Sequence, residues 1–180
     1  MPNLKISEDK LLRSISEVFR NRGYEGTTIT ELTKATGLQK PSLYYRFPGG
    51  KEEMAVKIIE ETGKDLILQI ERIAQDRDLD VSDRRRQFRE IIARFYRDGA
   101  LPCLVDSMSL HGENTPHLAI LKNGLQLLVS HLVAYEESNG SNRANAEAWA
   151  NSALIKIQGA LIVARVLQKP ELFRQALNEL

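Results

Sequence analysis

TITELTKATGLQKPSLYYRF, residues 28–47, predicts two short helices joined by a tight turn. Thr28 and Glu31 have the T-x-x-E spacing of a capping box, which starts the first helix. Gly37 stands where helices commonly end in a left-handed residue, and Pro41 falls in the first turn of the next helix, where its missing amide hydrogen costs nothing. This order of elements predicts a helix-turn-helix, which can place its second helix in the major groove of DNA.

The second helix of this stretch carries outward side chains that suit nucleic acid. Leu43 and Phe47 are four residues apart and are predicted to face the protein interior. The other positions offer cations, hydroxyls and phenols that can bind phosphate oxygens or base edges, and they are Lys40, Ser42, Tyr44, Tyr45 and Arg46. The alternative is a solvated basic helix face in an ordinary all-α domain, because runs of charge are usually solvated.

A series of positions in the first third of the chain resembles the DNA-binding region of TetR-family transcriptional regulators. The matching positions follow the family's order and are Phe19, Gly23-Tyr24, Thr27-Thr28-Ile29, Leu32, Ala35, Gly37-Leu38, Leu43-Tyr44-Tyr45, Phe47 and Lys51-Glu52. The linker PGGKEE, residues 48–53, is one residue longer than the commonest family linker. In this it is similar to the LmrA/YxaF-like branch, whose members repress multidrug-efflux and related genes.

This resemblance implies an all-α protein with an N-terminal three-helix helix-turn-helix domain at residues 1–50. An α-helical effector-binding and dimerisation domain is expected at residues 51–180. Five side chains match the exposed recognition-helix positions of the family and are expected in the major groove: Lys40, Pro41, Ser42, Tyr45 and Arg46. Phosphate contacts are expected from Thr28, Tyr44 and Lys51. The family frequently has histidine at the position of Arg46, so the base that Arg46 contacts stays open.

The composition is that of a soluble globular protein, with 42% hydrophobic and 27% charged residues. The formal net charge is +1, but residues 1–57 carry +3 and the other 123 residues carry −2, which fits a DNA-facing N-terminal end. Cys103 is the sole cysteine, which suits a reducing compartment. The N-terminus has no apolar signal region, and the apolar stretches 118–135 and 153–167 are interrupted by polar residues. We therefore expect a cytoplasmic protein without a membrane span.

The rest of the chain is predicted to be helical. The run of three arginines at 84–86 is expected on a solvated helix face, rather than in a second nucleic-acid patch. The last two long helices are apolar on more than one side, which indicates either a two-fold dimer or a deep monomer core, and the family resemblance favours the dimer. Apolar residues at three- and four-residue steps predict helices at about 51–77, 83–98, 117–137 and 143–168, a short helix after Pro102 and a last one from Pro170.

An apolar pocket for a small hydrophobic effector is a further hypothesis for the C-terminal part. Such an effector would release DNA if it preferred the conformer that does not bind DNA. The pocket is predicted to be lined by some of Phe88, Phe95, Cys103, Met108, Leu121 and Trp149. Two alternatives stay open, namely a DNA-binding dimer without an effector and a helical small-molecule carrier without a DNA role.

No enzyme motif, cofactor or metal site is predicted. His111, His117 and His131 lack the i, i+4 spacing of a zinc pair. Asp106, His111 and Glu113 could meet around an ion, but a solvent-exposed loop is the favoured interpretation. The sequence therefore predicts a repressor that binds a double-stranded, palindromic DNA operator as a homodimer.

Overall fold

The computed structural model describes residues 6–109 and 115–180, and every regular element in these two ranges is an α-helix. The all-α prediction is confirmed. The helices of the described ranges are α1 (Glu8–Gly26), α2 (Ile29–Thr36), α3 (Lys40–Arg46), α4 (Gly50–Gln75), α5 (Val81–Phe95), α6 (Leu104–Met108), α7 (Pro116–Ser138), α8 (Arg143–Val166) and α9 (Glu171–Asn178).

The chain forms two compact units. Unit 1 contains the described residues of 1–61 and 104–122, and unit 2 contains 62–103 and 123–180. Unit 1 thus combines α1, α2, α3 and the start of α4 with α6 and the first residues of α7. The division at residue 50 stays a prediction.

The helix-turn-helix begins and ends as its capping residues predict. The Thr28 hydroxyl accepts a hydrogen bond from the Glu31 amide at 3.2 Å, and the Glu31 carboxylate accepts one from the Thr28 amide at 3.1 Å. Gly37 ends α2 in the left-handed region, with φ 71°, and its amide donates to the Thr33 carbonyl at 2.9 Å. The predicted capping box and glycine end are therefore confirmed, and Pro41 lies in the first turn of α3.

The core of unit 1 joins residues that are distant in sequence. Leu32 and Leu43, one from each helix of the helix-turn-helix, are fully buried against Phe19 of α1 in a single cluster. Met108 and Leu121 belong to the same cluster. α6 also packs on α1, where the Ser107 hydroxyl donates to the Arg20 carbonyl at 2.8 Å. The segment 104–122 therefore completes the core that supports the helix-turn-helix.

In unit 2, an aromatic cluster forms the centre of the core. The ring of Phe88 lies 4.9 Å from that of Tyr135 and 5.6 Å from that of Trp149, measured between centroids. The Arg85 guanidinium lies 4.6 Å from the centroid of the Trp149 ring and forms an ion pair with Glu136. This cluster holds α5, α7 and α8 together.

The solvated face expected for the arginine run is wrong for Arg84, which is 8% exposed. Its guanidinium donates to the backbone carbonyls of Ser138 at 2.7 Å, Leu79 at 2.9 Å and Asp76 at 3.1 Å. Arg86 does stay exposed and pairs with Asp83. The physical reason is that two chain turns supply carbonyl acceptors that a guanidinium can satisfy without a counter-ion.

Among the described helices, α7 is long and apolar enough by length and composition to cross a membrane, contrary to the expectation from the interrupted sequence. A core helix of a soluble protein passes the same test. In α7, His117 and Glu136 are buried polar residues with partners inside their own units. Leu132 and Tyr135 are buried as well, although only 22% of the apolar window of α7 is buried.

Gly23 provides a test of how α6 packs on α1. It lies at a kink inside α1 with φ 68°, and a Cβ at this position would lie 2.7 Å from the Ser107 carbonyl oxygen. We expect Gly23→Ala to lower the free energy of unfolding by about 1–3 kcal/mol, because it adds both a steric clash and backbone strain. Urea unfolding followed by circular dichroism measures the change.

Gly63→Ala is the matched control for this substitution. Gly63 lies inside α4, and a Cβ there would meet open space. Alanine should leave stability unchanged or raise it by up to about 1 kcal/mol. Equal stability of Gly23→Ala and the wild-type protein would contradict the packing described for α6.

Candidate nucleic-acid interface

The outward face of α3 is exposed in the structure. Tyr45 is 88% exposed, and Lys40, Pro41, Ser42 and Arg46 are exposed as well. The inward residues Leu43 and Phe47 are 0% and 7% exposed. All the side chains predicted for the major groove therefore lie on the accessible side of one short helix.

The turn between α3 and α4 is held by local contacts. Gly50 has a left-handed φ of 65°, and a Cβ on it would lie 3.3 Å from the Tyr44 ring. Its amide donates to the Phe47 carbonyl at 2.9 Å, and the Gly49 amide donates to the Glu53 carboxylate at 2.7 Å. The glycines of the linker thus permit a tight exit from α3, which places the Tyr44 ring against the start of α4.

Tyr24, Lys51 and Glu52, which we call the α1–α4 clamp, join the end of α1 to the first turn of α4. The Tyr24 hydroxyl donates to the Glu52 carboxylate at 2.5 Å. The Lys51 ammonium donates to the Tyr24 backbone carbonyl at 3.0 Å and lies 4.2 Å from the centroid of the Tyr24 ring. These two connections join residues on either side of the helix-turn-helix.

His117, in the first turn of α7, completes the contacts of Glu52. Its backbone amide donates to Glu52 Oε1 at 2.6 Å, and its ring Nδ1 lies 3.0 Å from the same oxygen. The His117 ring is fully buried and stacks on the Tyr24 ring with 3.8 Å between centroids. One carboxylate on α4 is therefore bonded to both α1 and α7.

The hydrogen bonds among Tyr24, Glu52 and His117 determine the protonation of the Glu52 carboxylate. Burial raises the pKa of Glu52, but hydrogen bonds from Tyr24 and from the amide and ring of His117 outweigh it, so the net pKa is lowered. Burial and the bond to Glu52 raise the pKa of Tyr24. An ionised Glu52 only accepts hydrogen bonds, so Nδ1 of His117 carries the proton between them. The Thr115 hydroxyl lies 3.4 Å from Nε2 of His117.

The three residues predicted to contact phosphates lie in different surroundings. Thr28 is exposed, although its hydroxyl is used in the cap of α2, and Tyr44 is 39% exposed. Lys51 is half-buried, and one of the three donors of its ammonium is bound to Tyr24. The other two donors can still bind a phosphate. Their DNA contacts stay predictions.

The six residues predicted for an effector pocket are divided between the two units. Met108 and Leu121 are in the core of unit 1, whereas Phe88 and Trp149 are in the aromatic cluster of unit 2. The other two lie next to Tyr96 in unit 2: the Phe95 ring is 4.8 Å from its ring, and the Cys103 sulfur is 3.6 Å from its hydroxyl. The pocket stays a prediction.

Each histidine in the described ranges lies next to a glutamate carboxylate. His117 is bonded to Glu52, and Nδ1 of His131 lies 3.1 Å from a Glu71 carboxylate oxygen. His111 and Glu113 lie outside the described residues. Within residues 6–109 and 115–180, no group of three His, Cys, Asp or Glu side chains is placed to hold a metal ion.

The contacts that join Tyr24, Glu52 and His117 were not predicted from the sequence. Tyr24 and Glu52 were matched only as members of the family pattern, and His117 was considered only as a zinc ligand. Glu52 and His117 are 65 residues apart. The one available signal was a histidine directly after the helix-starting Pro116, and it does not identify a partner.

A short exposed cationic helix, braced by two others and followed by further helices, defines a helix-turn-helix protein with an added all-α domain. Residues 11–58 match the family model described as bacterial regulatory proteins, tetR family. LmrA of Bacillus subtilis, an HTH-type transcriptional regulator, is 42% identical over 55 residues, which are 31% of this chain and 29% of that protein. YxaF of the same organism, an uncharacterized HTH-type transcriptional regulator, is 41% identical over 58 residues, 32% of this chain and 30% of that protein.

Solved structures extend the similarity of fold to the whole chain. A TetR transcriptional regulator from Legionella pneumophila has a TM-score of 0.85 at 17% identity, covering 98% of this chain and 96% of that one. A regulatory protein TetR from Rhodobacter sphaeroides has a TM-score of 0.76 at 21% identity, covering 95% and 93%. Residues 11–58 therefore match a tetR-type DNA-binding region, and the whole chain shares the fold of these solved structures. The predicted similarity to LmrA and YxaF is confirmed. The matched region spans less than a third of the length of each of those proteins.

Proposed function

We propose that the protein is a cytoplasmic repressor that binds a palindromic DNA operator as a homodimer and is released by a small hydrophobic effector. The exposed face of α3, with its inward residues buried against α1, carries the proposal for DNA. A relative that is 36% identical over 53 residues, 29% of this chain and 28% of that protein, supports repression. It is the biofilm operon icaADBC HTH-type negative transcriptional regulator IcaR of Staphylococcus epidermidis.

The chemistry of α3 divides its side chains into two roles. The exposed Arg46 guanidinium can form a bidentate contact with guanine, and the Pro41 ring and Tyr45 ring can pack on a thymine methyl. Lys40 and Ser42 can bind base edges or phosphates. Lys51, Tyr44 and Thr28 flank α3 and are proposed to bind the DNA backbone.

Two substitutions separate base contacts from phosphate contacts. Arg46→Ala should relax the sequence preference at the base pairs that Arg46 contacts. The loss of a bidentate contact should lower the discrimination against the wrong base there by about 1–3 kcal/mol. Lys51→Gln should weaken binding to every duplex and reduce the slope of log K against log salt by about 0.9. Titration of labelled duplexes, selected from genomic DNA with the wild-type protein, at several salt concentrations measures both effects.

Lys64→Gln is the control, because Lys64 is an exposed lysine on the same helix as Lys51 but belongs to unit 2. It should leave both the affinity and the salt slope near wild type. Equal losses on selected and random DNA for Arg46→Ala would contradict its role in base contact. Absence of salt-dependent duplex binding by the wild-type protein would favour the alternative of a helical carrier without a DNA role.

The proposal of a homodimer is based on the two faces of α8. One face is buried in unit 2 through Ala153, Ile157 and Leu161. The opposite face is apolar and exposed, with Ile155 and Val166 72% and 71% exposed. Ile162 and Val163 extend this exposed stripe, while Ser152 and Gly159 keep it low enough for another helix to approach. A second copy that pairs the same stripe would bury it in a two-fold interface.

Ile155→Asp should convert the dimer to a monomer, because it places a charge at the most exposed apolar position of the stripe that a partner helix would bury. Analytical ultracentrifugation at micromolar concentration measures the change. Val81→Asp is the control, since Val81 is also an exposed apolar residue but lies at the start of α5. A monomeric wild-type protein, or a dimeric Ile155→Asp variant, would contradict the proposed interface.

The proposed effector site is an apolar pocket in unit 2 beside the cluster of Phe88, Tyr135 and Trp149. The rings of Phe88 and Tyr135 are fully buried, so the partly exposed Trp149 is the member of the cluster that a hydrophobic ligand could contact. An effector that binds the form with low DNA affinity more tightly than the form with high affinity shifts the population and releases the operator.

The single tryptophan, Trp149, gives this proposal a direct readout. We expect a compound from a panel of hydrophobic molecules to change Trp149 fluorescence and to release labelled operator over the same concentration range. Fluorescence of the free protein separates binding to the protein from binding to the DNA. If no compound in a broad panel produces both effects, the alternative of an effector-independent DNA-binding dimer is favoured.

A further inference from the structure

The α1–α4 clamp closes the chain segment that contains the helix-turn-helix. Tyr24 precedes α2, and Lys51 and Glu52 follow α3, so both helices lie between the clamp residues in sequence. The hydroxyl and the carbonyl of Tyr24 are bound to these two consecutive residues of α4. The residue before the helix-turn-helix is thus bonded directly to the residues after it.

The short turn after α3 restricts movement of α3, which carries the residues proposed to contact DNA, relative to the clamp. Only residues 47–49 separate α3 from α4, and the Gly50 amide is bonded back to the Phe47 carbonyl. The Tyr44 ring lies against Gly50. A shift of the first turn of α4 would therefore displace the end of α3, which carries Tyr45 and Arg46.

Glu52 is the centre of these contacts. Its carboxylate accepts from the Tyr24 hydroxyl and from the amide and ring of His117. His117 contributes the contact from the second segment of unit 1, which begins at residue 104. A neutral amide at position 52 could not accept at both of its polar atoms, because its nitrogen only donates.

We infer that Glu52 and Tyr24 are positioning residues for DNA binding, which fix the orientation of α3 and of the Lys51 ammonium without touching DNA. This inference rests on the proposed function. It leads to an expectation opposite to that of simple electrostatics. Loss of a negative charge from a unit that approaches phosphates should strengthen binding by charge alone, whereas loss of the clamp should weaken it.

Glu52→Gln and Tyr24→Phe are the two variants, and Glu60→Gln is the matched control. Glu60 is an exposed carboxylate of the same helix and the same unit. The probe is a duplex selected from genomic DNA with the wild-type protein, compared with a random duplex of equal length. We expect both clamp variants to bind the selected duplex about tenfold more weakly, because each loses a hydrogen bond to a charged group. Glu60→Gln should bind as tightly as the wild type or more tightly.

Three further readouts separate positioning from loss of folded protein. The ratio of selected to random affinity should fall for Glu52→Gln, whereas a smaller folded fraction would lower both affinities equally. The salt slope should change less than in Lys51→Gln, since the lysine itself is kept. The double variant should bind DNA no more weakly than the single variant with the lower affinity, because both substitutions remove the same hydrogen bond between Tyr24 and Glu52. If Glu52→Gln does not fold, Tyr24→Phe alone decides, since it keeps the ring and removes only the hydroxyl.

The inference is overturned if the clamp variants bind like Glu60→Gln, or if the ratio of selected to random affinity is unchanged. A wild-type protein that selects no duplex would instead refute the proposed function. In that case, amide hydrogen exchange of residues 24–28 and 49–52 still tests the clamp. Faster exchange in Glu52→Gln supports it, and unchanged exchange in both variants refutes it.

Discussion

The burial of Leu43 and Phe47 is the constraint on which the rest of the structure depends. α3 has seven residues, and a helix of that length is too short to persist alone in water. Transfer of each of these side chains from water to the core contributes about 1.5–3 kcal/mol before entropy is counted. That contribution lets the opposite face of α3 consist of cations, hydroxyls and phenols. The exposed chemistry of the helix therefore depends on the apolar contacts behind it.

The same requirement explains why unit 1 contains more than the three helices of the helix-turn-helix. A small domain buries too little surface for ample stability, and additional apolar residues increase the core. Met108 and Leu121 supply such residues, and Gly23 allows α6 to approach α1 closely. The family match ends at residue 58, but the core of unit 1 includes residues up to 121.

Local chemistry was predictable from the sequence, and long-range pairing was not. The ends of α2 were predicted because Thr28 and Gly37 act on neighbouring backbone groups. The start of α5 was displaced by two residues, since Asp80, and not a later residue, caps it by accepting from the Asp83 amide at 2.8 Å. The bonds from Arg84 to the Ser138 carbonyl and from His117 to Glu52 could not be predicted from local sequence, because these acceptors lie 54 and 65 residues away.

The residue type at position 52 follows from the number of donors that meet there. A carboxylate has lone pairs for about four hydrogen bonds, whereas an amide or a hydroxyl accepts fewer, so three donors at one point favour Glu or Asp. The cost is a negative charge on the helix turn next to a proposed phosphate contact. Lys51 offsets that charge from the adjacent position, and its ammonium is oriented by the same tyrosine that donates to Glu52. The clamp therefore joins α1 and α4, His117 adds the bond to α7, and the opposite charges of Lys51 and Glu52 offset each other at the end of the protein that is proposed to meet DNA.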